Sequence, residues 1–179
     1  AMEQLDARAC LALAPRIGSA PVFSSDRHDM YELVSVLRAC DWMVSSRYHA
    51  IVTSMPALVP SAGITMDERI RNLMRERGHE PLLMSVDDPD LEARLLAAME
   101  TLRTDAESIR DSIGRTVVNN LKRMARMGVF LERSVHELYP EFPISSGVRS
   151  WEEYLPLLSP QLSKLIEAHE SRSQAVGAN

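Results

Sequence analysis

The stretch SSRYHAIVTSMPALVPSAGIT, residues 45–65, sets Arg47 and His49 two positions apart, directly after the apolar run DWMVSS and ahead of a helical pattern. These side chains are a fixed cation and an imidazole that titrates near neutrality. A guanidinium grips phosphate or carboxylate through paired N–H bonds, and an imidazole beside it donates or takes a proton. Whether the two act on one ligand depends on the backbone. In extended chain, residues i and i+2 face the same way, so Arg47 and His49 converge while Tyr48 turns away into packing. If a helix already starts at Arg47, they diverge by about 200° and share nothing. The spacing predicts the first case: both side chains in one solvent-accessible depression at a strand end. The plainer alternative is a solvated arginine and a hydrogen-bonded rim histidine, each without function.

Such a pair needs elements that hold it. Residues 3–14 carry a weak helical pattern stopped by Pro15 and Gly18, PVFSS (21–25) reads as a short strand, and Met30, Leu33, Val34 and Leu37 fall at helical spacing. Residues 41–46, 57–64 and 81–86 read as three further strands. Between the last two, Thr65 and Glu68 have the spacing of a capping box, Ile70, Leu73 and Met74 form an apolar stripe, and Gly78 sits where a C′ glycine belongs. Asp88 and Pro89 mark the cap and first turn of a helix with Leu91, Leu95, Met99 and Leu102 inward. Short strands alternating with helices predict an α/β fold: a Rossmann-like, doubly wound, mainly parallel four-stranded sheet with helices on both faces. That domain covers residues 1–104. Residues 105–172 read as a helical extension, with Ile109, Ile113, Val117, Leu121 and Met124 along one helix to 138, and residues 173–179 as a disordered tail.

In an open parallel sheet, ligands bind beyond the carboxyl ends of the strands. Ser45 and Ser46 lie at such an end with Arg47, and Ser46 fits the N-cap of the helix that follows, whose free N–H groups would meet an anion. Arg69 lies one turn beyond the third strand and is a second candidate for the cleft. Arg71, Arg75 and Arg77 read as a solvated face with i,i+4 pairs. His28 lies past the first strand, either lining the cleft or in a cap region with Ser25 or Asp26 as N-cap.

Composition narrows the classes. The net charge is −5 over 179 residues with no dominant basic stripe, which speaks against nucleic acid as partner. Two cysteines, Cys10 and Cys40, make no disulfide framework and read as reduced core residues of a cytoplasmic protein. No run approaches the roughly 18 apolar residues of a transmembrane segment, and no secretory leader is readable. Ala1 ahead of Met2 reads as a cloning remnant. His79, His136 and His169 lack metal-ligand spacing, and the dinucleotide, P-loop and nucleophile-elbow motifs are missing, so no metal and no cofactor is implied. NNLKRMARMG (119–128) is basic and amphipathic, fit for a membrane surface or acidic partner, or simply a solvated helix face.

CDWMVSSRYHAIVTSMPALVPSAGITMDERIRNLM, residues 40–74, resembles the C-terminal half of the polysaccharide pyruvyl transferase family. The likeness lies in an aspartate before a strand, then Ser-Arg-x-His-Ala, a helix, a proline-containing strand and a charged Asp-x-Arg turn; looser patterning extends it over about residues 21–130. The resemblance implies a glycosyltransferase-B-like enzyme that passes a pyruvyl group from phosphoenolpyruvate to hydroxyls of a glycan acceptor, in cell-surface (exopolysaccharide) synthesis. It implies that Arg47 and His49 grip the donor's phosphate and carboxylate, with His49 also moving a proton, and that Asp67 and Arg69 form the charged turn. The family's small, often glycine, residue before the third strand is Ala57 here. The family also has a second Rossmann-like domain on the N-terminal side, about as long again. The chain therefore reads as the donor-site domain, completed by a missing N-terminal domain or a homodimer partner and inactive alone. Two alternatives stand beside it: a nucleotide-sugar-binding domain of a glycosyltransferase-B enzyme, and a non-catalytic module whose helical extension binds a partner.

Overall fold

The structure is a computed structural model that describes residues 2–18, 20–66, 68–143 and 150–177, with side chains from residue 7 to residue 171 within those spans. Its centre is a sheet of three short strands, β1 (Met43–Ser45), β2 (Ser61–Thr65) and β3 (Leu83–Ser85). All pairing is parallel, with Ser45 beside Gly63 and Thr65 beside Ser85. The middle strand is built from small residues and buried along almost its whole length, as a strand covered on both faces must be. Gly63 shows why: a Cβ there would lie 2.5 Å from Ile70 Cγ2 and 3.3 Å from Met74 Cε, so the strand and the following helix approach closer than any side chain allows.

Two expectations about the sheet are corrected. Residues 21–25 form no strand. Pro21 removes a ladder donor, and Ser24 closes a turn by accepting from the N–H groups of Arg27 and His28, so the segment lies as coil with Val22 and Phe23 toward the next helix. The sheet therefore has three strands, not four. Its order is β1-β2-β3 without reversal, so it is not doubly wound and contains no switch point of the Rossmann kind. The strands are also shorter than their apolar runs. Residues 55–57 are a 3₁₀ turn ended by Leu58 in the left-handed region (φ 59°), and residues 80–82 are another. Prolines within these stretches break the ladder, though the carbonyl of Pro60 still accepts from Met43 N–H.

The helices are α1 (Met2–Leu13), α2 (Met30–Arg38), α3 (Tyr48–Ser54), α4 (Glu68–Glu76), α5 (Leu91–Thr104), α6 (Ala106–Leu138) and α7 (Pro160–Gly177). Their boundaries follow local chemistry. Asp29 caps α2 through a reciprocal pair with Glu32, in place of the expected Ser25 or Asp26. Thr65 does not cap α4: it closes β2, and α4 begins at Glu68. Gly78 ends α4 at φ 69°, with Gly78 N–H bonded to the Arg75 carbonyl and His79 N–H to that of Met74, a Schellman closure. Asp88 is not the cap of α5 either; its carboxylate accepts from Ser85 N–H and pairs with Arg94, fastening the end of β3 to α5.

Ile51, Ala62, Ile70, Met74, Met84, Leu102, Ile109 and Ile113 make the core between sheet and helices. Along α6 the inward stripe continues through Val117 to Ala125, while Met124, expected inside, is 45% exposed. The second half of α6 packs instead on the 3₁₀ turn Trp151–Tyr154: a Cβ at Gly128 would lie 2.6 Å from Tyr154 Cδ1. Lys122 pairs with Glu170 and lies over the Trp151 ring, and Arg123 pairs with Glu76, so the basic stretch of α6 is partly spent within the chain. The backbone of α7 runs on through residues 173–177, the stretch read as tail. Cys10 is exposed and Cys40 half-buried, not core residues, and both are free thiols. No described helix is long and apolar enough to cross a membrane.

Candidate functional site

Because the strands are parallel, the chain leaves β1, β2 and β3 at one edge, after Ser45, Thr65 and Ser85. A depression of about 460 Å³ lies there, lined by Ser46, Arg47, Tyr48 and His49 beyond β1, Ile64, Thr65 and Met66 at the end of β2, Arg69 in the first turn of α4, and Val86 beyond β3. That volume suits a small metabolite.

Arg47 and His49 meet where β1 gives way to α3. Arg47 is the N-cap of α3 and is extended (φ −109°, ψ 114°), while Tyr48 and His49 are already the first two residues of the helix, so strand alternation does not relate the two side chains; both nonetheless line the depression. Ser46 is not the cap, and it lines the depression. Ser45 is not among the lining residues. Its hydroxyl accepts from Arg47 N–H at 3.0 Å, and so shapes the turn that presents the arginine. His49 is anchored from behind, its carbonyl accepting from Thr53 Oγ1 at 2.7 Å.

Tyr48 departs from the expectation that it points away. Its ring contacts the core, yet it also forms a wall of the depression, edge-on to His49 at 5.5 Å and beneath the Arg69 guanidinium at 5.8 Å. The ring thus ties the strand-end histidine to the helix-borne arginine. Arg47, His49 and Arg69 are all exposed, and Arg47 and Arg69 take part in further polar interactions. Asp67 lies outside the described residues. The depression therefore gathers two guanidinium groups, an imidazole and the hydroxyls of Ser46, Tyr48 and Thr65: a set that binds an oxyanion and offers one titratable proton carrier.

The remaining candidates lie elsewhere. His28 stacks on Phe23 at 5.5 Å and faces Glu32 at 3.4 Å, beside α2 and away from the depression. Arg71 and Arg75 are exposed, but Arg77 is 2% exposed, against the expectation of a solvated face. It donates to Ser61 Oγ at 2.9 Å and to His79 Nδ1, inside the protein under β2. Burial lowers its pKa to about 10, which leaves it charged at neutral pH. Burial, then the charges of Arg77 and Arg115, push His79 down to about 4. The one sequence signal for this cluster is that Arg77 precedes the C′ glycine, where the chain reverses under the sheet. Among the described residues, no three His, Cys, Asp or Glu side chains gather as a metal site. No family model matches the chain, and no curated protein or solved structure does.

Proposed function

We propose that the depression is the donor site of a polysaccharide pyruvyl transferase, which holds phosphoenolpyruvate while its pyruvyl group passes to hydroxyls of a glycan acceptor. The observation that supports this reading is the meeting of Arg47, His49 and Arg69 beyond the ends of three parallel strands. Phosphoenolpyruvate carries its phosphate and its carboxylate on one carbon, C2, and the two guanidinium groups that line the depression, Arg47 and Arg69, offer one to each. The reaction joins one phosphoenolpyruvate and two sugar hydroxyls into a ketal and inorganic phosphate. C2 gains two bonds to sugar oxygens and loses the phosphate oxygen; of the two hydroxyl protons, one ends on C3, making the methyl group, and the other on phosphate. His49 is the group assigned to carry the proton to C3, and Arg47 the group that holds the phosphate as it leaves. The donor places the reaction in the cytoplasm.

Titration of the chain with phosphoenolpyruvate, followed by amide NMR shifts, tests the reading. Shifts should concentrate on residues 46–49, 64–66 and 69, and Arg47→Ala should weaken binding about tenfold, the loss of one charge-assisted contact. Equal binding by wild type and Arg47→Ala removes the site from the proposal.

A further inference from the structure

The second half of α6 carries an apolar stripe that nothing among the described residues covers. Met124 is 45% exposed, Met127 71%, Phe130 69%, Leu131 64% and Leu138 73%. Met124, Met127, Leu131, Ser134 and Leu138 follow one another at steps of three, four, three and four, the seam of a coiled coil, and Phe130 borders that seam. The neighbouring face of the same turns is taken up by Ala125, which is buried, and by Gly128 against Tyr154, so the packing of these turns onto their own chain lies beside the stripe and leaves it open. It would rest on another helix.

We infer that α6 pairs, antiparallel and about a two-fold axis, with α6 of a second copy of this chain. Charge selects that occupant and that direction. Arg123 stands at the early end of the stripe and Glu137 at the late end, both on the Phe130 border at seven-residue steps. In an antiparallel pair centred near residue 129, Leu131 of each copy packs on Met127 of the other, Met124 faces Ser134, and the two Phe130 rings come together across the axis. The same register brings Arg123 opposite Glu137 twice, once on each side. A parallel pair would instead set the Arg123–Phe130–Glu137 border of each copy against positions 128 and 135 of the other, a glycine and a valine, so neither charge would find a partner. Arg123 also pairs with Glu76 of its own chain at 3.2 Å, yet its side chain stays 72% exposed, so it remains open to the second copy.

Sedimentation equilibrium of the full chain is the test. Wild type should show a concentration-dependent species at twice 20.1 kDa. Leu131→Asp, at an exposed position, should leave a monomer with unchanged circular dichroism. Arg123→Glu and Glu137→Arg should each weaken the dimer tenfold or more, because each sets like charges opposite one another on both sides of the axis. Mixing the two variants should restore it: one chain then carries a carboxylate at both positions and the other a guanidinium at both, so opposite charges meet at each contact. That restoration also shows that both variants fold. A monomer at about 0.1 mM, a dimer indifferent to Leu131→Asp, or two charge variants that fail to rescue each other would each overturn the proposal.

Discussion

Two nitrogens of Arg77, Nε and Nη2, lie 3.2 and 3.0 Å from one atom, Nδ1 of His79, and both residues are buried. An arginine only donates, so Nδ1 must accept, which fixes the imidazole as neutral with its proton on Nε2. The folded protein thus holds a buried cation against a neutral ring.

Stability should therefore fall on acidification in a defined window. His79 titrates at about 4 in the folded chain and near 6.5 when unfolded, because burial and then the charges of Arg77 and Arg115 oppose its protonation, with only Glu80 favouring it. A depressed folded pKa gives stability that is complete above pH 6.5 and is lost as pH falls toward 4, by about 3 kcal/mol in all. Asn at position 79 keeps an acceptor near Nδ1 but does not titrate. Urea unfolding of wild type and His79→Asn between pH 4 and 7 reads the difference: the variant's slope should be flatter by about one proton. Parallel slopes would show that His79 does not titrate as described.

The same cluster yields a second expectation. Ser61 is the acceptor for Arg77 Nη1, at 2.9 Å under the middle strand. Ser61→Ala leaves a buried charged donor unpaired and should cost about 1–3 kcal/mol. Arg77→Met removes the cation and its desolvation cost together, with no carboxylate among the described residues bonded to the guanidinium; that gain offsets the loss of its bonds to Ser61 and His79, and the change should cost less than Ser61→Ala. In the double variant the cost of Ser61→Ala should largely vanish. Denaturation midpoints of the four proteins settle it; additive effects would contradict the pairing.

Gly63→Ala should destabilise the chain by about 1–3 kcal/mol, because the new methyl meets Ile70 Cγ2 at 2.5 Å in a filled core. A lower thermal midpoint with unchanged far-ultraviolet dichroism is the expected result. An unchanged midpoint would mean that α4 shifts freely against β2.

The depression at the sheet edge is lined by residues that the sequence singles out, while the sheet itself departs from the pattern. Arg47 and His49 share the depression, but not by strand alternation: Arg47 is extended, whereas Tyr48 and His49 already belong to α3, a boundary that side-chain spacing does not locate. Arg69 lines the same depression from the first turn of α4, just past a strand. The missing strand was not legible: PVFSS has β-forming residues, but pairing is a non-local event, and a proline with a serine-rich turn left it two usable residues. Tyr48 was assigned to the interior because alternation has only two faces, whereas a residue opening a helix can touch both core and cleft. Arg77 was misplaced because a helical stripe says nothing of the residue at which the helix ends, and it is there, beside Gly78, that the chain turns inward.

The last prediction concerns turnover. The described walls of the depression all come from one edge of one sheet, and they supply groups for an anion and a proton but no second surface facing them. Arg47, Arg69 and the neighbouring hydroxyls should hold phosphoenolpyruvate with about millimolar affinity, or roughly 4 kcal/mol. Transfer asks for more, since the sugar hydroxyl must be held in line with C2, and orientation of that kind contributes about 7–11 kcal/mol to lowering a barrier. Residues 1–179 alone should thus bind the donor and form no ketal. Adding a partner that supplies the acceptor wall should restore transfer, and His49→Gln should then lower kcat by about 10²-fold or more while donor binding changes little, as loss of a proton carrier does. Release of phosphate from phosphoenolpyruvate in the presence of acceptor glycan, read alongside the NMR titration, separates the two effects. Ketal formation by the chain alone would show that it already carries a complete cleft, and an undiminished kcat in His49→Gln would move the proton transfer to another residue.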